Sequence, residues 1–113
     1  MTIIMAMKRS LLYRLVYAPQ VYHHLKAIEP KYYSLIRTEI ERQLMFQPTI
    51  ETKNRKPLKG PVILEGEWEL RLGPDNRFRV FYEVDTEHRE VNILAVGIKE
   101  GSRLFVGGEE IRL

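Results

Sequence analysis

The hydrophobic pattern changes period once along the chain, near residue 62. Before that point a short strand-like run is followed by two helical stripes. Residues 11–17 (LLYRLVY) are rich in leucine, aromatic and β-branched side chains and precede Pro19, which predicts a strand ended by a turn. Pro19 suits the first turn of a helix, where its missing N–H costs nothing. Val21, Leu25 and Ile28 then recur on one helical face, and Pro30 interrupts it. Tyr33, Ile36, Ile40 and Leu44 form the stripe of a second helix over Lys31–Phe46, with Arg37, Glu41 and Arg42 off the stripe and Pro48 as its stop. Residues 48–61 (PTIETKNRKPLKGP) have little periodicity and read as a loop.

From residue 62 the period is two. Trp68, Leu70 and Leu72 alternate with Glu67, Glu69 and Arg71; after the turn Gly73-Pro74-Asp75-Asn76, Phe78, Val80, Tyr82 and Val84 alternate with Arg77, Arg79 and Glu83. A second turn spans Asp85–Arg89. Residues 90–98 (EVNILAVGI) are apolar at both parities, as in a central strand. The tail, Ser102–Leu113, fits a short strand or a turn equally well. The expected fold class is α+β, in the order β-α-α-β-β-β: a small, antiparallel-dominated sheet packed on a helical hairpin.

Parity also fixes a register. Both even-numbered sets must face the helices to build a core, and a one-residue slip would invert one of them. The two strands therefore pair with an even index sum, which requires a connecting loop of three or five residues. Either choice gathers Arg71, Arg77 and Arg79 on the opposite, open face, together with Glu67, Glu69 and Glu83.

Composition narrows the class. The chain has 113 residues and 44% hydrophobic positions, enough for one core over 11–113, with residues 1–10 read as a ragged leader. The apolar start MTIIMAM precedes its charges and is far short of the ~20 residues of a membrane span. The absence of cysteine excludes a disulfide scaffold, a thiolate metal site and a cysteine nucleophile, and it suits the cytoplasm. Residues 1–60 carry 11 basic and 4 acidic side chains, a net of +7, whereas 61–113 carry 7 basic and 11 acidic, a net of −4. This asymmetry fits a basic patch for a polyanion, or simply a solvated face.

The basic candidates lie in three segments: Lys53, Arg55, Lys56 and Lys59 in the loop, Arg71, Arg77 and Arg79 in the hairpin, and Lys99 and Arg103 after the central strand. Arginine's planar fork matches phosphate. Such a cluster can stabilise the charge that builds on a phosphorane when an RNA 2′-OH attacks its own phosphate, a reaction that needs no metal. The bland alternative is a sheet face laced with ion pairs, each worth about 0.2–1 kcal/mol. His23 and His24 are adjacent on a helix and point about 100° apart, so they form no chelating pair. His88 lies in a charged turn. Gly107-Gly108 is not followed by the Lys-Ser/Thr of a phosphate loop. No metal site and no cofactor are expected.

Lys56-Pro57-Leu58-Lys59-Gly60, Trp68-Glu69-Leu70-Arg71, Arg77-Phe78-Arg79-Val80-Phe81-Tyr82 and Val96-Gly97-Ile98-Lys99, with Tyr13-Arg14-Leu15-Val16-Tyr17-Ala18-Pro19 before them, resemble the RelE/ParE superfamily of bacterial type II toxins in order and spacing over residues 11–106. The resemblance implies a sheet on a helical hairpin, a cognate antitoxin as partner, and one of two activities: ribosome-dependent mRNA cleavage in RelE-like members or gyrase poisoning in ParE-like members. For the former it implies that Arg71 and Arg79 hold the scissile phosphate and that Lys99 or Arg103 assists. Lys53, Arg55, Lys56, Lys59 and Arg77 would grip RNA. Two positions depart from the nuclease pattern: Glu69 stands where a lysine is common, and Phe105 where a tyrosine is expected. A RelE-like ribonuclease is the leading reading; a ParE-like gyrase inhibitor and a non-catalytic member that binds antitoxin or nucleic acid are the alternatives.

Overall fold

The computed structural model describes residues 12–59 and 66–112. The leader expected over 1–10 lies outside the described residues, as does Gly60. Strand β1 (Arg14–Tyr17) leads into helix α1 (Pro19–Lys26), a 3-10 turn at Pro30–Tyr32 and helix α2 (Tyr33–Leu44). Six strands follow: β2 (Arg55–Pro57), β3 (Trp68–Leu72), β4 (Phe78–Asp85), β5 (Glu90–Glu100), β6 (Arg103–Val106) and β7 (Glu109–Ile111). The sheet order is β2-β3-β4-β5-β6-β7, antiparallel throughout, and β1 joins parallel to the first half of β5. The α+β class and the order read from the sequence hold, with three strands added. One is a short edge strand inside the expected loop, where Pro57 is tolerated because the outer side of the strand is unpaired among the described residues. The other two are the tail, which forms a hairpin. Its turn is Gly107-Gly108, with both residues at positive φ as a two-residue hairpin turn requires.

The observed register is one of the two that parity allows. Trp68 pairs with Tyr82, Leu70 with Val80 and Leu72 with Phe78 across a five-residue connection. These side chains meet Val21, Ile28, Ile36, Ile40 and Leu44 from the helical segment in one buried cluster. The α2 stripe is thus the expected one, although the helix proper is shorter than 31–46. The double-parity apolar pattern of β5 has a more local cause than a two-faced strand. A bulge at Leu94, between the pairs Tyr82–Ile93 and Phe81–Ala95, flips the parity. Odd Val91 and Ile93 before it and even Val96 after it therefore reach the same core. Beyond the bulge Ala95 turns to the other face, where Phe81, Leu104 and Val106 form a second small cluster with Leu58 and Ile111. The face expected to be open is therefore covered toward β6.

The ends of β1 and β6 leave a gap along β5, and α1 fills it. Gln20 donates to the Leu94 carbonyl at 3.2 Å, and the Val96 N–H donates to His24 Nδ1 at 3.3 Å. Only neutral imidazole can accept at Nδ1. Burial, and then the neighbouring His23, hold the His24 pKa below its ordinary 6.5. The unfolded chain therefore binds the extra proton first, so stability falls as pH drops below 6.5 and through the lower folded value. The unfolding midpoint should fall between about pH 7.5 and about pH 5.5. A His24→Gln variant should be less stable at the upper pH and flatter across the range; a parallel pH profile would contradict this role.

Candidate functional site

The β3–β4 hairpin places Arg71 directly opposite Arg79. Two like charges this close destabilise a sheet unless something lies between them. Glu69, two residues before Arg71 on the same face, does so. Arg71 Nε donates to Glu69 Oε1 at 2.8 Å, and an Arg79 terminal nitrogen donates to Oε2 at 3.4 Å. The side chains of Glu69 and Arg79 are each only 13% exposed, whereas Arg71 is 39% exposed. The trio carries a net +1 in a partly desolvated position where charge interactions exceed their strength in bulk water.

Two residues that the alternation pattern did not single out aim these arginines. Asn54 brackets the backbone of Arg71: its carbonyl accepts from the Arg71 N–H at 2.8 Å, and its side-chain amide donates to the Arg71 carbonyl at 3.1 Å. Asn76 accepts from Arg79 Nε through its own carbonyl at 3.0 Å. That carbonyl sits in a turn where Asp75 and Asn76 both take positive φ, a conformation that Asp and Asn tolerate better than most residues. The Pro74-Asp75-Asn76 signal was visible as a turn but not as an arginine support.

Hollows lie on either side of the trio. One, of about 560 Å³, is lined by Arg79, Lys99 and Arg77 with Asp75 at the rim. The other, of about 380 Å³, is lined by Arg71, Lys56 and Lys59 with Glu51 and Glu69. Lys99 reaches the first because β5 pairs Gly97 with Arg79, and Lys99 follows two residues later on the same face. Gly97 itself is required: a Cβ there would lie 2.8 Å from the Phe105 carbonyl oxygen. Arg77 contributes less freely than expected. Its guanidinium lies 5.6 Å from both the Tyr32 and Phe78 rings, at the edge nearest the helices.

Arg55 and Arg103 fall outside the group. Arg55 is buried, with Nε donating to the Ile50 carbonyl at 3.0 Å and a terminal nitrogen donating to Gln43 Oε1 at 3.2 Å. It braces the loop against α2, apart from the exposed basic side chains. Arg103 pairs with Glu100 across the tight β5–β6 turn and so shares the helix-side face. There it donates two bonds to Glu110, both 3.1 Å, and stacks over Phe105. Phe105 is on that face too, remote from Arg71 and Arg79 whatever its chemistry. Lys53 and Lys59 are exposed, and Lys56 pairs with Glu51 at 3.5 Å.

On the helix side a groove of about 750 Å³ runs between β1, α1 and α2. Tyr13, Tyr17, Leu25, Tyr33 and Ile40 line it, and the exposed Tyr22 stands at its rim. Burial and the nearby Glu41 push the Tyr17 hydroxyl above its ordinary pKa, so it stays protonated.

No family model matches the chain, and no curated protein is significantly similar to it. Among solved structures, it is similar to a chain of the RelBE2 toxin–antitoxin complex from Mycobacterium tuberculosis. The two are 22% identical, with a TM-score of 0.65 over 79% of this chain and 93% of that one. The chain has a RelE-like fold. Within the RelE-like fold of this protein, the basic group sits on the sheet face opposite the helices, and the apolar groove sits beside them.

Proposed function

We propose that this chain is the toxin of a type II toxin–antitoxin pair and inhibits translation by cleaving mRNA at the ribosome without a metal. The observation that carries this reading is the Arg71–Arg79 cross-strand pair between two basic hollows, with Lys99 beside Arg79 in one of them. In the reaction the RNA 2′-hydroxyl gives its proton to water as its oxygen attacks the adjacent phosphorus, the bond to the 5′-oxygen breaks, that oxygen takes up a proton, and a 2′,3′-cyclic phosphate and a 5′-hydroxyl result. Negative charge grows on the non-bridging oxygens, where Arg71 and Arg79 offer charge-assisted hydrogen bonds, and on the departing 5′-oxygen, which Lys99 can neutralise. Lys56 and Lys59 line the adjoining hollow and suit the phosphates of the flanking RNA. Lys56→Glu with Lys59→Glu should weaken binding of single-stranded RNA and lower the slope of log affinity against log salt by about 1. An unchanged slope would make them solvated connectors.

Gyrase poisoning is the second reading. It is favoured by Phe105, which has no proton to exchange and faces away from the arginines.

A cognate antitoxin would protect the host cell, which places the work in the cytoplasm. The groove between β1, α1 and α2 suits an amphipathic antitoxin segment, because its tyrosines offer large, half-wet contact area. Purification together with the product of the neighbouring gene should yield a hetero-complex. High yields of a harmless protein with no bound partner would contradict the toxin reading.

A further inference from the structure

We propose that Glu69 is a built-in counter-ion that fills the anion seat between Arg71 and Arg79, and that a nucleic-acid phosphate must displace it. This regulation rests on the reading of that face as a phosphate site.

Four observations converge on it. The two Glu69 oxygens accept from two different arginines, at 2.8 and 3.4 Å, in the way two non-bridging phosphate oxygens would. At 13% exposure the carboxylate is held inside the face, not extended into solvent. It occupies Arg71 Nε, while Arg79 Nε is committed to the Asn76 carbonyl. The arginines therefore have their terminal nitrogens for a ligand, and one of those already points at Glu69. Finally, Glu69 stands at the junction of the two basic hollows: it lines the one containing Lys56, Lys59 and Arg71, and it holds Arg79, which lines the other. A strand of phosphates running from hollow to hollow passes over it, and its charge opposes that passage.

The carboxylate has a second consequence. It lets two facing arginines stay ordered and close when no ligand is bound, so the site is preorganised but muted. An incoming phosphate gains less than two bare arginines would give it, because it replaces an existing anion. Weak polyanions would be rejected, and RNA held in place by other contacts, such as those of a ribosome, would be accepted.

The test uses a 2′-O-methyl oligoribonucleotide, which cannot be cleaved, with binding read by fluorescence anisotropy at two salt concentrations. Glu69→Gln should bind about tenfold more tightly than the unaltered protein, since removing one opposing charge near a phosphate is worth at least that much in a partly desolvated site. Adding Arg71→Gln to that variant should abolish the gain. Should Glu69→Gln fail to fold, Glu69→Asp, whose shorter side chain cannot reach both arginines equally, should show a smaller gain. A folded variant that binds equally or more weakly would overturn the proposal and make Glu69 a brace for the arginines. Tighter binding in a protein that never cleaves unmodified RNA would support the counter-ion while contradicting the nuclease reading, so the two fail separately.

Discussion

Replacing Arg79 with alanine is expected to lower RNA cleavage about 10²–10³-fold, the usual loss when one preorganised donor to transition-state charge is removed. The expectation follows from position. Arg79 links the Glu69 carboxylate on one side to the hollow with Lys99 on the other, and its Nε is anchored on the Asn76 carbonyl. Stability should fall by about 1.5–3 kcal/mol, because bonds of a charged group to Glu69 and to the Asn76 carbonyl are lost while Glu69 keeps its bond to Arg71. Cleavage rate measured beside a thermal unfolding curve separates the two effects. Full activity in a folded Arg79→Ala protein would remove Arg79 from the site.

The second large effect concerns stability. Arg55→Ala should destabilise the fold by about 2–4 kcal/mol, since hydrogen bonds to a charged group are worth about 1.5–3 kcal/mol each and their partners would be left buried. Arg55 is 6% exposed, and two acceptors depend on it: the Ile50 carbonyl and Gln43 Oε1. The same region holds Tyr82, whose hydroxyl donates to the Pro48 carbonyl at 2.7 Å; burial drives its pKa well above the ordinary 10.0. Loss of Arg55 therefore loosens the anchor between the loop and β3, which carries Arg71. Denaturant unfolding should show the drop. A folded variant with unchanged stability and weakened RNA binding would instead return Arg55 to the ligand surface.

The Arg55 result shows where sequence reading stops. An arginine in a Pro-rich, lysine-rich stretch reads as solvated, because nothing local reports that Gln43 on α2 waits beneath it. Arg103 illustrates a different limit. Parity carries a face along one strand, but the Gly101-Ser102 turn pairs residue 103 with residue 100 and puts Arg103 on the helix side, away from Lys99. The bulge at Leu94 had the same effect inside β5 and let odd and even residues reach the same core. The β3–β4 register was legible because three large side chains of β3 and four of β4, all even-numbered, demanded one core, and the five-residue turn obeyed. The Arg71–Arg79 juxtaposition followed from that register alone. What alternation leaves open is which acid answers which base: Glu67, Glu69 and Glu83 were equal candidates until the geometry placed Glu69 between the arginines and let Glu83 accept from Asn92 at 3.4 Å.

RNA cleavage in translating ribosomes is the activity proposed for this face. Its most direct test is brief induced expression in bacterial cells, followed by genome-wide mapping of new mRNA 5′ ends, with Arg79→Ala as the control and a gyrase supercoiling assay in parallel. New 5′-hydroxyl ends are expected within translated regions and should vanish in the Arg79→Ala strain, with supercoiling unaffected. Growth arrest with no new mRNA ends and with inhibited supercoiling would contradict it and identify gyrase as the target.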